Sequence, residues 1–207
     1  MPRSRAPRLV ADLTVHERVR SVRYILILGS NLGDRQAMLS RARAELGRGT
    51  VTSGSDIRIL QASSVYETSP WGVEDQPAFL NAGLLVETEL TPLDLLALVK
   101  TIERELGREP GSGSRRYGPR VIDIDIVCAA EREEDEEFSY RFSHPTSSDS
   151  SPGELWLEIP HPRAGERAFV REIVGELAPG AWLARRPGQA PDTPGAVLAR
   201  VAGPDEW

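Results

Sequence analysis

Two aspartates one residue apart, Asp123 and Asp125, and the arginines gathered around them, Arg108, Arg115, Arg116 and Arg120, are the side chains best suited to chemistry in this chain. In the run RYGPRVIDIDIV, period-two alternation puts Val121, Asp123, Asp125 and Val127 on one side of a strand and Ile122, Ile124 and Ile126 on the other. The isoleucines then face a core, and the carboxylates share the opposite face. Same-face neighbours lie roughly 6.5 to 7 Å apart along a strand, so the pair can reach toward a hard, oxygen-preferring cation such as Mg²⁺. Taken alone, D-x-D on an alternating strand more often marks the solvated face of an edge strand. The arginines change that weighing, because they supply the cations that a polyphosphate needs. Together the residues read as a metal and phosphate site.

The elements that must position this site follow from the flanking patterns. Residues 1–21 are arginine-rich and weakly patterned, and are expected to be an N-terminal extension. Tyr24 to Leu28 is a short apolar run ending at Gly29-Ser30-Asn31-Leu32-Gly33-Asp34, with Leu39, Ala42 and Leu46 at helical spacing beyond it. Strand, tight turn, helix is the natural parse. The turn lacks both the G-x-G-x-x-G pattern and the Lys-Ser/Thr of a P-loop, so it is read as structural. Ile57 to Thr68 and Phe79 to Glu89 read as two strands joined by the Pro- and Gly-containing loop SPWGVEDQPA. Thr91-Pro92-Leu93-Asp94 opens a helix whose buried stripe is Leu95, Val99, Ile102 and Leu106, and Gly107 ends it. A Gly-rich loop, Arg108 to Gly118, leads into the D-x-D strand. The acidic and Ser-rich segment at about 131–152 reads as an inserted surface loop. Phe169 to Leu177 has a helical pattern stopped by Ala178-Pro179-Gly180, and residues 181–207 read as a C-terminal extension.

Composition narrows the function classes. The 207 residues suit one domain with extensions, and the net charge of −6 argues against a general nucleic-acid binder without excluding a nucleotide substrate. Lys100 is the only lysine, so arginine outside the motifs carries little weight. The lone Cys128 rules out an intramolecular disulfide and a Cys-rich zinc site. No apolar stretch approaches the length of a membrane span, and a soluble, cytoplasmic protein is expected.

Five blocks in order, ILGSNLGDR (Ile27 to Arg35), SSVYETSPWGVEDQPAFLNA (Ser63 to Ala82), IERELGR (Ile102 to Arg108), RYGPRVIDIDIV (Arg116 to Val127) and IPHPRAGERAFV (Ile159 to Val170), resemble one family over roughly residues 23 to 180. It is the 6-hydroxymethyl-7,8-dihydropterin pyrophosphokinase family of folate biosynthesis. The resemblance implies an α+β, ferredoxin-like antiparallel sheet flanked by helices, a three-layer α/β/α sandwich filling residues 22–180. It further implies transfer of the diphosphate of ATP to the hydroxymethyl group of the reduced pterin, with release of AMP. Two Mg²⁺ ions are expected with the nucleotide, ligated by Asp123 and Asp125.

Matching positions imply roles for further residues. Phe79 and Phe169 would stack on the pterin and Asn81 would read its edge, with Thr68, Ser69, Pro70 and Trp71 adding contacts. Lys100, Glu103, Ile126, His161 and Arg167 match positions near ATP. Arg108 and Arg120 match basic positions of a catalytic loop, with Arg116 adjacent, and Asp125 is a weaker candidate for accepting the hydroxyl proton. ATP and the pterin are the expected partners of a monomer, with association with neighbouring folate enzymes left open.

The chain departs from the family in three places. Glu109 to Ser114 intervenes where a second loop arginine usually follows Arg108, so Arg115 or Arg116 would have to replace that charge. Tyr117 stands at a position usually held by tryptophan, and the acidic segment from Glu131 is additional. Two other classes remain open on this reading. One is a pterin- or nucleotide-binding homologue that has lost transfer. The other is an interaction module that uses the acidic insertion.

Overall fold

The computed structural model describes residues 21–48, 56–72, 75–108, 118–131, 134–144, 157–181, 183 and 195–207. The elements run β1 (Val22–Ser30), α1 (Arg35–Arg48), β2 (Ile57–Ala62), β3 (Val65–Thr68), β4 (Phe79–Thr88), α2 (Pro92–Glu105), β5 (Asp123–Ala130), β6 (Phe142–His144), β7 (Leu157–Ile159), a 3₁₀ turn (Ala164–Glu166), α3 (Ala168–Leu177) and β8 (Val197–Ala202). An antiparallel sheet has the order β5-β1-β4-β3-β8, with β2 also paired to β4.

Helices cover this sheet on both faces, which explains why β1 is buried without alternation from Tyr24 to Leu28. Tyr24, Leu26 and Leu28 of β1 pack with the α1 stripe Leu39, Ala42, Leu46 and the α2 stripe Leu95, Val99, Ile102, Leu106. On the other face, Ile25 and Ile27 pack with Phe169, Val170, Ile173, Val174 and Leu177 of α3. Helix α3 sits so close to β4 that a Cβ added at Gly83 would fall 2.3 Å from Ile173 Cγ2 and 2.8 Å from Leu177 Cδ1. The expected antiparallel sheet flanked by helices is therefore present.

Local chemistry starts both helices of the first face. The Asp34 carboxylate accepts from the Ala37 N–H at 3.0 Å at the start of α1. Thr91 caps α2, its hydroxyl accepting from Asp94 N–H and donating to Asp94 Oδ2 at 2.6 Å, with Pro92 in the first turn.

Three expectations differ from the structure. The single strand expected over 57–68 is two, because Ser63 takes over the ladder: its N–H donates to Gly83 O at 2.9 Å and its Oγ accepts from Gly83 N–H at 2.8 Å. Within the expected surface loop at 131–152, the described residues 134–144 are tied to the domain. Phe138 is buried, Tyr140 N–H donates to Ala129 O at 3.1 Å, and β6 pairs with β7 from Phe142↔Ile159 to His144↔Leu157. The reason is that three aromatic residues, Phe138, Tyr140 and Phe142, interrupt the acidic run and pack on the domain. Residues 145–152 lie outside the described residues.

The third difference concerns the C-terminal extension expected at 181–207, whose last part joins the sheet as β8 along β3. Trp207 enters the core, its Nε1–H donating to Ser63 O at 2.8 Å while the Arg43 guanidinium lies 5.1 Å from its ring.

Candidate active site

Strand β5 carries the two aspartates on the face its alternation predicts. Ile122, Ile124 and Ile126 are buried in the core with α2, and Asp123 and Asp125 open into a cavity of about 890 Å³. The alternation breaks after Ile126, where Ile25 faces Cys128 but Leu26 faces Ile126, so Val127 is an extra residue in the ladder. Val127 and Cys128 consequently share the α3 side of the sheet, and the aspartates keep their own register.

On the charged side, Arg108 and Arg120 both pair with Asp123, the latter at 2.7 Å, and Arg167 pairs with Asp125 at 3.1 Å. Burial opposes ionisation of Asp123, but the Arg120, Arg108 and Lys100 charges outweigh it and hold the carboxyl at about 2. Glu103 lies beneath this cluster, almost wholly buried. Lys100 Nζ donates to both its oxygens at 2.9 Å, Arg108 lies at 2.8 Å, and Ile124 N–H donates to it at 2.7 Å. Burial pushes the Glu103 carboxyl up against the pull of Lys100, and Asp123 adds to the push. Glu103 is thus an anchor that ties α2, β5 and Arg108 together. Among the described residues, no protein atom accepts from the buried Arg167 Nε–H, a donor left over for a ligand.

Aromatic and amide groups line the opposite side: Trp71, Phe79, Asn81 and Phe169, with Thr68 and Ser69. Asn81 Nδ2–H donates to Thr68 Oγ1 at 2.8 Å, which fixes the amide on the sheet. The Arg167 guanidinium lies 5.4 Å from the Trp71 ring centroid and that of Arg163 lies at 5.6 Å, so the two sides of the cavity meet across Trp71.

The cavity therefore brings together Thr68, Trp71, Phe79, Asn81, Lys100, Arg108, Arg120, Asp123, Asp125, Arg167 and Phe169 of the expected residues. Of the remaining expected residues, Glu103 lies beneath the cavity and three others are absent from its lining. Pro70 is half-buried and does not line the cavity. The Ile126 side chain points into the core, 3% exposed, because it lies on the strand face opposite the aspartates. His161 lines a separate cavity of about 420 Å³ with Arg141, Glu158 and Pro162. Burial holds its imidazole below the ordinary value although Asp125 pulls the other way, and Arg167 adds to the depression. Arg116 lies outside the described residues, as do Arg115 and Tyr117.

Asn31 supports the site from outside the cavity lining, and sequence reasoning did not single it out. Its backbone N–H donates to Arg120 O at 3.1 Å and its Oδ1 accepts from Arg120 N–H at 2.7 Å. Its Nδ2 donates to Gln76 Oε1 at 3.0 Å and Pro77 O at 3.1 Å. The turn read as structural thus fastens the segment before β5 to the loop before β4. An amide placed at the end of an apolar strand was the only local signal for this.

A family model described as 7,8-dihydro-6-hydroxymethylpterin-pyrophosphokinase (HPPK) matches residues 25–179. A protein of Porphyromonas gingivalis named 2-amino-4-hydroxy-6-hydroxymethyldihydropteridine pyrophosphokinase is 40% identical over 158 residues, which cover 76% of this chain and 90% of that protein. One of the same name from Methylorubrum extorquens is 41% identical over 157 residues, covering 76% and 83%. The fold is similar to a solved HPPK-DHPS of Plasmodium falciparum, with a TM-score of 0.55 at 14% identity, covering 86% of this chain and 46% of that one. The match over residues 25–179 takes in the three helices, the sheet apart from β8 and both sides of the cavity, and the chain belongs to the 7,8-dihydro-6-hydroxymethylpterin-pyrophosphokinase family.

Proposed function

We propose that this protein transfers the diphosphate of ATP to the hydroxymethyl group of 6-hydroxymethyl-7,8-dihydropterin, as an Mg²⁺-dependent enzyme of folate biosynthesis. The observation that carries this reading is the single cavity in which Asp123 and Asp125, flanked by Arg108, Arg120 and Arg167, face Phe79, Asn81 and Phe169. A flat, apolar-faced heterocycle with polar edges suits the second group, and a polyphosphate suits the first.

In the reaction the pterin hydroxyl oxygen bonds to the β-phosphorus of ATP. The bond from that phosphorus to the bridging oxygen shared with the α-phosphorus breaks, AMP leaves with the bond's electrons, and the hydroxyl proton departs. Asp125 is the candidate acceptor of that proton. Phe79 and Phe169 hold the ring plane and Asn81 its edge, which sets the hydroxyl against the charged wall. Arg108, Arg120 and Arg167 exchange their carboxylate partners for phosphate oxygens and neutralise charge as it shifts to the leaving group.

The donor set suits Mg²⁺, since two carboxylates share one strand face and open into a cavity with room for phosphates. Among the described residues no cluster of three His, Cys, Asp or Glu side chains could hold a metal. Two protein carboxylates suit an ion that takes most of its other ligands from phosphate and water. When bound at Asp123 and Asp125, two Mg²⁺ ions would supply charge neutralisation and alignment of the triphosphate.

Among the described residues no helix is long and apolar enough to cross a membrane, and a cytoplasmic monomer remains the proposed setting. The fused Plasmodium falciparum HPPK-DHPS makes association with a neighbouring folate enzyme a reasonable extension of the reading.

The test is incubation of the protein with ATP, Mg²⁺ and the hydroxymethyl pterin, with AMP resolved from ADP and each component omitted in turn. AMP that needs all three is the expected result. ADP would show attack at the γ-phosphorus, and ATP binding without either product would favour a homologue that has lost catalysis.

A further inference from the structure

Just before β8, outside the residues matched by the family model, Gly195 and Ala196 cross the aromatic side of the cavity. Ser69 N–H donates to Ala196 O at 3.0 Å, and Ala196 N–H donates to Ser69 Oγ at 3.1 Å. Gly195 has φ +79°, a backbone conformation that favours glycine. A Cβ there would sit 3.4 Å from both Trp71 Cδ1 and Phe169 Cδ1 and 3.5 Å from Phe169 Cε1. Both residues are buried, whereas Val197 to Val201 of β8 are exposed. The far end is anchored by Trp207, so an exposed strand runs between two buried attachment points. Trp71 in turn faces Arg167, which pairs with Asp125.

We propose that the Gly195–Ala196 segment is a strap that positions the pterin side of the cavity, holding Ser69 by paired hydrogen bonds and Trp71 and Phe169 by contact. The strap sets pterin affinity without touching the phosphate side directly. This rests on the pyrophosphokinase reading of the same cavity.

The experiment uses the full chain and the variants Ser69→Ala, Gly195→Ala and, as a control on the exposed strand, Leu198→Ser. AMP release is followed with each substrate varied. In parallel, the oxidised and unreactive 6-hydroxymethylpterin is titrated in the presence of a non-hydrolysable ATP analogue, and melting is recorded. For Ser69→Ala, KM and Kd for the pterin should rise about fivefold, the scale of one lost hydrogen bond. For Gly195→Ala the rise should be about tenfold, since a β-carbon at this positive φ strains the backbone that leads into the paired hydrogen bonds. The KM for ATP should stay at the wild-type value in both variants, and Leu198→Ser should match wild type throughout. Unchanged pterin constants in both variants would overturn the strap. So would pterin and ATP constants that rise together with a lowered melting temperature, which marks a merely structural role. A wild-type protein that binds the pterin probe but releases no AMP refutes the transferase reading alone, and the Kd values then decide the strap. One that binds no pterin overturns both.

Discussion

Asp123 and Asp125 face the cavity already engaged by Arg108, Arg120 and Arg167, while Asn81 and Phe169 face it with their supports behind them. The two sides are therefore prepared in different ways. Ion pairs hold the charged side together, and on the proposed reading a triphosphate would exchange those partners. On the aromatic side Arg163 and Arg167 lie over Trp71, and the other groups are held from behind. Phe169 is held by the α3 packing, and Asn81 by its hydrogen bond to Thr68. Charge should therefore govern turnover on one side, and packing should govern affinity on the other.

Asp125→Asn tests that division most severely. It keeps the shape of the side chain while removing its charge, so AMP formation should fall at least about a hundredfold while pterin binding, followed by fluorescence titration, stays near wild type. Equal losses in both would show that the two sides are not separable. Gly83→Ala attacks the aromatic side from behind by pushing α3 off β4. Urea unfolding should show a loss of about 1 to 3 kcal/mol, and because Phe169 rides on α3, pterin affinity should weaken before the KM for ATP does.

The smallest effect concerns acid stability of the ligand-free protein. The arginines hold Asp123 at about 2, below its ordinary unfolded value. A carboxyl depressed in the folded state contributes stability above its unfolded value, and loses it as pH falls through the folded one. Wild type should lose up to about 2 kcal/mol between roughly pH 4 and pH 2 from this group, and Asp123→Asn should flatten that part of the acid-unfolding curve. An unchanged slope would mean that the arginine pairs do not govern the group.

Much of this arrangement could be read in the chain because its signals are local. The D-x-D alternation, the α1 stripe Leu39, Ala42 and Leu46, and the Thr91 cap each lie within a few residues, and the structure repeats them. What the pattern missed depends on distant partners. Strand β8 follows a Pro-rich stretch and is almost wholly exposed, so no apolar rhythm marks it until β3 lies alongside. The break at Ser63 needs Gly83, and it is reinforced by Glu176, whose carboxylate accepts from Ser64 N–H and Oγ–H and from the Tyr66 hydroxyl. Asn31 gains its place only when the segments around Gln76 and Arg120 converge on it. Ile126 shows the opposite limit. A matching family position cannot say whether a residue presents its side chain or its backbone, and here the strand phase sends the side chain into the core.

The short pairing of β6 with β7 closes on His144 opposite Leu157, and β5 receives hydrogen bonds from Tyr140 on one flank of this hairpin and His161 on the other. Whatever the chain does between those two paired ends, the clamp on β5 is already complete at its base. Loop-closure cost grows only with the logarithm of length, by about 0.6 kcal/mol per doubling. A reporter peptide or affinity tag grafted between His144 and Leu157 should therefore leave that clamp intact at a small entropic cost, whereas a change at Trp207 would reach the core.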